Sequence, residues 1–235
     1  MMDSRTRETL EGISTATLTT VLLKKGLRNV WIRGAFPKQP GQKRVAGTAF
    51  TLRFVPARED LATPASWASP ISTRTAIEAM EEGVICVADA NGVTDAGIFG
   101  DILCARMAYR KVGALITDGV MRDMEGVLAT GLPVWCAGAA APASVAGLTF
   151  VNWGEPVGCG GVAIFPGDAI VADGDGAVVI PQALLAEVVE AAVEQEAQEA
   201  WIINEVNSGV PLPGLYPPND ENKARYAAWR KANGK

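Results

Sequence analysis

Val84-Ile85-Cys86-Val87-Ala88-Asp89 and Gly113-Ala114-Leu115-Ile116-Thr117-Asp118-Gly119 are two short apolar runs, and the segment between them decides the fold. Each run reads as a buried strand. Ala90 to Gly100 is a glycine-rich loop carrying Asn91, Thr94 and Asp95, and Asp101 to Lys111 is a helical stretch that Gly113 punctuates. A strand-helix-strand unit of this length is a parallel crossover, so both strands end on the same side and their exit loops lie together. Open α/β sheets bind ligands in the crevice at that end.

Two carboxylates and a guanidinium fall at this edge. Asp101 opens the helix, and Arg122-Asp123 follows the second strand after twenty intervening residues. Taken singly, each has an ordinary reading: Asp101 as a helix N-cap, Asp123 as the start of a helical segment from Met124 to Leu128, and Arg122 as a solvated cation. At one sheet edge with glycines beside them, they read together as a functional set. The chain contains no histidine. Histidine triads and histidine-ligated zinc are therefore excluded, and what remains is carboxylate-based chemistry suited to a hard metal.

With 235 residues, 49% of them hydrophobic, the chain buries one substantial core. Its net charge of −5 and its lack of a basic run argue against direct nucleic-acid binding. Cys86, Cys104, Cys136 and Cys159 form no short metal-ligand pair, and buried free thiols are expected. The polar stretch Met1 to Glu11 has no signal-peptide core, and no run approaches a membrane span. The expectation is a cytoplasmic protein without a membrane partner.

Outward from the centre, residues 5–26 read as one amphipathic helix or a pair ending at Gly26, and 33–44 as a Pro/Gly/Lys-rich connection. Residues 45–55 form a strand, 57–73 an irregular loop suited to a lid or an interface, and Thr75 to Glu82 a short helix. Pro133 to Gly138 is a strand, and 147–181 holds several short strands with glycine turns, which favours antiparallel pairing there. From Gln182 to Asn207 runs the longest helical pattern. Its stripe of Leu184, Leu185, Val188, Val189, Ala192 and Val193 faces a core, and its glutamates are mostly solvated. Pro211, Pro213, Pro217 and Pro218 then preclude a regular element before a short helix over Arg225 to Arg230. The expected organisation is one domain over 1–207 with an extension over 208–235. Leu215, Tyr216 and Trp229 would let that extension clamp a neighbour or cover its own sheet edge.

Gly100-Asp101-Ile102-Leu103 with the spaced Arg122-Asp123 resembles the signature of the 4-hydroxy-4-methyl-2-oxoglutarate aldolase family, which includes RraA-like regulators of ribonuclease activity. Pro166 to Pro181 is similar to that family's late hairpin, Val45 to Leu52 to its early strand, and Ser14 to Leu18 to its first helix. The resemblance implies a layered αββα fold of the swivelling β/β/α kind, with a mixed sheet, and a homotrimer or homohexamer.

It also implies a divalent-metal pyruvate aldolase that cleaves 4-hydroxy-2-oxo acids and decarboxylates oxaloacetate through the same enolate. By the resemblance, Asp123 ligates Mg²⁺ or Mn²⁺, and Arg122 pairs with the pyruvyl carboxylate and keto oxygen. Gly100 and the amides of Ile102 and Leu103 bind the substrate carboxylate, and Asp101 orients a proton-donating water. A Schiff-base route finds no support, since Lys24, Lys25, Lys38, Lys43 and Lys111 lie in polar surroundings. Glu196 and Glu199 are candidates for an acidic group reaching a neighbouring subunit's site. The alternatives are a non-catalytic protein-binding regulator of a ribonuclease and an aldolase for a sugar-derived 2-oxo acid.

Overall fold

The computed structural model describes residues 2–233. The chain forms two compact units divided between Val189 and Glu190. The first begins with α1 (Ser4–Glu11) and α2 (Thr15–Lys24), so the stretch 5–26 is a pair of helices. Asp3 accepts from the Thr6 amide and Ser14 from the Thr17 amide, caps that each stabilise a helix by about 1 kcal/mol. A short strand, β1 (Trp31–Ile32), precedes the stretch 33–44 that the sequence presents as a connection, a second, β2 (Phe36–Pro37), interrupts it, and β3 (Val45–Pro56) follows.

The 57–73 segment contains one 3₁₀ turn, Pro64–Ala68. Next come α3 (Thr73–Ala79), β4 (Ile85–Asp89), α4 (Asp101–Tyr109) and β5 (Ala114–Thr117). Helix α3 starts earlier than its hydrophobic pattern suggests because Ser72 accepts from the Thr75 amide and fixes the first turn. The remaining elements of this unit are β6 (Val120–Met121), α5 (Met124–Ala129), β7 (Val134–Cys136), β8 (Gly138–Ala139), β9 (Leu148–Trp153), β10 (Ala169–Asp173) and β11 (Gly176–Ile180).

The main sheet runs β1-β11-β10-β3-β4-β5-β7-β2, with β9 also paired to β3. It is mixed, as expected. Strands β3, β4, β5 and β7 are parallel, whereas the late hairpin β10–β11 and its partners are antiparallel. The α4 crossover sets Val87 beside Ile116 in parallel register, which brings the exits of β4 and β5 together.

Side chains of β4 alternate between two cores. Cys86 and Ala88 pack with Leu115, Cys104, Met107 and Val127 beneath the helices, while Ile85 and Val87 join Ile116, Trp135 and Ile170 on the other face. A strand buried on both faces reads as an unbroken apolar run, which is why these strands are visible in the sequence.

Asp118 ties the exit loops together. Its carboxylate accepts from the amides of Ala90 at 2.8 Å, Gly92 at 3.0 Å and Gly160 at 3.1 Å. These bonds satisfy three donors that loops at a sheet edge would otherwise leave to water, and they hold the 90–100 loop at its start.

Helix α6 (Leu185–Asn207) crosses into the second unit. Its apolar stripe is less buried than the periodicity suggests. Val188 and Ala192 are fully buried, Leu184, Leu185 and Val189 half-buried, and Val193 exposed. The second unit closes with α7 (Asp220–Ala232), longer than the expected 225–230 helix because Asn219 caps it, accepting from the Asn222 amide. Trp201, Ile202, Leu215 and Tyr226 form a small core there, with Trp229 packed against it. The extension therefore covers apolar surface of its own unit. No helix among the described residues is long and apolar enough to cross a membrane.

Candidate functional site

The loop 97–100 is laid along the Val120–Asp123 segment. Ile98 donates to the Val120 carbonyl at 2.9 Å, and Arg122 donates to the Phe99 carbonyl at 2.9 Å. Such an approach needs glycine. A Cβ on Gly97 would stand 2.6 Å from the Arg122 nitrogen, and one on Gly100 would stand 2.9 Å from Asp123 Oδ2. On the other side, a Cβ on Gly126 would meet the Asp101 Cβ at 2.8 Å, so this second glycine lets α5 close on the start of α4.

The three residues singled out from the sequence consequently share one cavity. Its volume is about 280 Å³, and Gly100, Asp101, Ile102, Leu103, Arg122 and Asp123 all line it. The ordinary N-cap reading of Asp101 fails, because Gly100 is the cap and Asp101 is the first helical residue. Asp101 Oδ1 instead accepts from the Ile102 amide at 2.7 Å. That amide is thus shared with its neighbour's carboxylate, while Leu103 is the third helical residue, where the N–H has no intrahelical acceptor. The Ile102 side chain is 79% exposed, an uncovered apolar group at the cavity mouth.

Asp123 caps α5 in the left-handed region, at φ 50° and ψ 45°. A non-glycine residue held there is strained by about 1–3 kcal/mol, and such strain persists where surrounding bonds over-determine it. Here the Arg122 amide bond to Phe99 fixes one side, and Arg122 Nε donates to Asp123 Oδ2 at 3.1 Å. The two side chains are 38% and 50% exposed, open enough to meet a ligand.

The donor set suits a particular kind of cation. Among the described residues no three His, Cys, Asp or Glu side chains cluster as a ready metal cage. Asp123, with one oxygen taken by Arg122 and its neighbour Gly100 kept free of a Cβ, offers a single carboxylate. That fits Mg²⁺ or Mn²⁺, which keep several waters and take one or two carboxylates plus substrate oxygens. It does not fit zinc.

Other chemistries are poorly served. Among the described residues, no lysine, histidine or cysteine lines the cavity. Lys25 and Lys111 are paired with Glu187 and Glu82. All four cysteines are buried free thiols. Cys104, on the inner face of α4, is pushed up to about 12 by burial and then by the Asp101 charge, so it is no thiolate nucleophile. Glu196 and Glu199 are half-buried in the second unit, and Glu199 accepts from Gln195.

Trp67, Thr73, Arg74, Ala143 and Ser144 also line the cavity, and sequence reading did not single them out. The only signal was the length of the 57–73 loop, which ends beside Arg74.

The family model described as Aldolase/RraA, for RraA-like proteins, matches residues 15–179. The chain belongs to the RraA-like family. Protein DlpA of Legionella pneumophila is 30% identical over 176 residues, covering 75% of this chain and 28% of that protein. A candidate 4-hydroxy-4-methyl-2-oxoglutarate aldolase of Halalkalibacterium halodurans is 34% identical over 118 residues, 50% of this chain and 55% of the relative. The match thus spans little more than a quarter of one relative and about half of the other. The structure of Streptomyces coelicolor RraAS2, described as an unusual member of the RNase ES inhibitor RraA family, superposes with a TM-score of 0.78 at 32% identity, covering 86% and 98% of the two chains. An uncharacterized protein from Pseudomonas syringae gives 0.77 at 27% identity, covering 92% and 98%. The RraA-like fold accommodates both names, so the fold alone does not assign the chemistry.

Proposed function

We propose that this RraA-like protein is a divalent-metal-dependent pyruvate aldolase. Its substrates are 4-hydroxy-2-oxo acids of the 4-hydroxy-4-methyl-2-oxoglutarate type, and oxaloacetate decarboxylation is a side reaction. The observation that carries this reading is the convergence of Asp101, Arg122 and Asp123 on one cavity at the start of α4. A homotrimer or homohexamer goes with the proposal. The buried free thiols fit a reducing cytoplasmic setting.

Cleavage of the C3–C4 bond leaves its electron pair on the pyruvyl half as an enolate, while the C4 hydroxyl gives up its proton and becomes a carbonyl. The site must favour that enolate over the bound substrate. When bound at Asp123, Mg²⁺ or Mn²⁺ supplies Lewis-acid stabilisation of the pyruvyl oxygens. Arg122 pairs with the same pyruvyl oxygens, adding positive charge where the enolate forms. Its bond to Asp123 aims the guanidinium and leaves the other N–H groups for substrate. The substrate carboxylate lies at the N-terminus of α4, where the Leu103 amide and, in competition with Asp101, the Ile102 amide point. Asp101 holds the water that takes the C4 hydroxyl proton and returns one to C3.

A second reading is a protein-binding regulator of a ribonuclease, which the likeness to RraAS2 favours. An adaptor needs no meeting of two carboxylates and a guanidinium in one cavity, whereas an aldolase does. Coupled pyruvate release from a panel of 4-hydroxy-2-oxo acids, with Mg²⁺ and with EDTA, tests the proposal. Release that EDTA abolishes and Mg²⁺ restores is expected. Full release in EDTA with borohydride trapping of an adduct would move the chemistry to a lysine imine, and no release would favour the regulator.

A further inference from the structure

Arg74, the second residue of α3, brings a second guanidinium to the cavity that holds Arg122. It stands over the Trp67 ring, 5.2 Å from the centroid. Trp67 belongs to the 3₁₀ turn of the 57–73 loop, and it lines the same cavity. A guanidinium drawn to an indole face by the ring's quadrupole is held there without an anionic partner.

Arg74 differs from the other arginine of the cavity in what it lacks. Arg122 is paired with Asp123, and Arg106 on α4 and Arg110 just after it are both paired with Glu78. Arg74 has no carboxylate in ion-pair range among the described residues, although its place beside the cavity keeps it near Asp101 and Asp123. A guanidinium held by an aromatic platform and left without an anion is a receptor for one.

The charge balance of the cavity agrees. Among the described residues, its lining carries two carboxylates, Asp101 and Asp123, and two guanidiniums, Arg74 and Arg122, which cancel. A divalent cation leaves an excess of two positive charges. The ligand that neutralises it is a dianion, and the pyruvyl carboxylate supplies only one of the charges. We infer that Arg74, held over the Trp67 ring, is a specificity-determining residue that binds a second carboxylate on the distal half of the substrate. The inference rests on the aldolase reading for the placement of the pyruvyl half. It favours a carboxylate-ended substrate over a neutral sugar-derived one.

The test separates this assignment from that reading. In the presence of Mg²⁺, binding of 2-oxoglutarate and of 2-oxopentanoate is measured by calorimetry. The two share a 2-oxo acid head, lack the 4-hydroxyl needed for cleavage, and differ only in a distal carboxylate against a methyl. The wild-type protein should prefer 2-oxoglutarate by about ten- to a hundredfold, the worth of a hydrogen-bonded charge pair, and Arg74→Gln should erase the preference. Oxalate, which fills only the pyruvyl half, serves as the folding control and should bind Arg74→Gln as it binds wild type. Equal binding of the two 2-oxo acids by wild type, or an undiminished preference in Arg74→Gln, overturns the assignment. In parallel, pyruvate release is followed from 4-hydroxy-2-oxoglutarate and 4-hydroxy-2-oxopentanoate. Release without a preference sinks Arg74 and spares the aldolase. A preference in binding without release from either compound does the reverse.

Discussion

Gly100 lies so close to Asp123 that a Cβ on it would stand 2.9 Å from Asp123 Oδ2 and 3.3 Å from Arg122 Cγ. The backbone at Gly100 is extended, at φ −115° and ψ −173°, so any residue adopts it without strain. Space, not conformation, requires glycine here. Gly100→Ala should push the carboxylate and guanidinium aside at little cost to folding, within about 1 kcal/mol by urea unfolding. Activity should nonetheless fall about tenfold or more, because even a displacement of roughly 0.5 Å misaligns a group at a reacting centre. A variant with wild-type pyruvate release would show that Asp123 need not sit where it does.

Arg122→Lys keeps the positive charge and loses the planar fork and the Nε bond to Asp123. Steady-state kinetics should show a loss of about 10²-fold or more in kcat/KM, as for removal of a donor aimed at developing charge. Activity within about threefold of wild type would mean that this arginine is no bidentate clamp.

The two aspartates should fail differently. Asp123→Asn replaces an anionic oxygen by a neutral one and should raise the Mg²⁺ concentration needed for activity. Asp101→Asn should leave Mg²⁺ affinity nearly unchanged and lower turnover, since its proposed work is on a proton. Calorimetric Mg²⁺ titration distinguishes them. Lost metal binding in Asp101→Asn with normal binding in Asp123→Asn would reverse the assignment.

The parallel centre was legible because Ile85 to Ala88 and Ala114 to Thr117 are buried on both faces and so carry no polar alternation. The Asp101 and Arg122-Asp123 set was legible for a different reason. The parallel register of β4 and β5 leaves the exit of β4, which leads into the start of α4, and the exit of β5 at one edge. Arg74 and Trp67 were not, because the 57–73 loop has no periodicity from which to place it, and their meeting with α4 is purely tertiary. Helix α7 was seen only in part. Its cap, Asn219, follows two prolines whose signal ends a helix as readily as it precedes one. Asp118 reads as a turn residue, and only the folded loops reveal its three amide partners.

Asp173 is a buried carboxylate distant in sequence from the site, and it fastens α2 to the late hairpin. Thr15 donates to it twice, from its hydroxyl at 2.6 Å and its amide at 2.9 Å, and Arg44 Nε approaches at 3.2 Å. Burial raises its pKa, but the Thr15 bonds, the Asp175 amide and Arg44 outweigh that and hold it below the ordinary aspartate value. A carboxyl depressed by folding contributes stability above its unfolded pKa, and that stability is lost as pH falls through the folded value. Asp173→Asn should therefore be destabilised by about 2 kcal/mol at pH 7, and the gap to wild type should narrow below about pH 4. Urea unfolding at pH 7 and pH 3 checks this. A gap that widens in acid would contradict it.

Exchange of the pyruvate methyl protons with D₂O, followed by proton NMR with Mg²⁺ present, tests the central claim without any knowledge of the distal half. A pyruvate enolate formed in the Asp101, Arg122 and Asp123 cavity must exchange those protons. The wild-type protein should accelerate the exchange, EDTA should stop it, and Asp101→Asn and Arg122→Lys should each slow it by about 10²-fold. Exchange no faster than in protein-free buffer, or equal in wild type and both variants, would contradict the account.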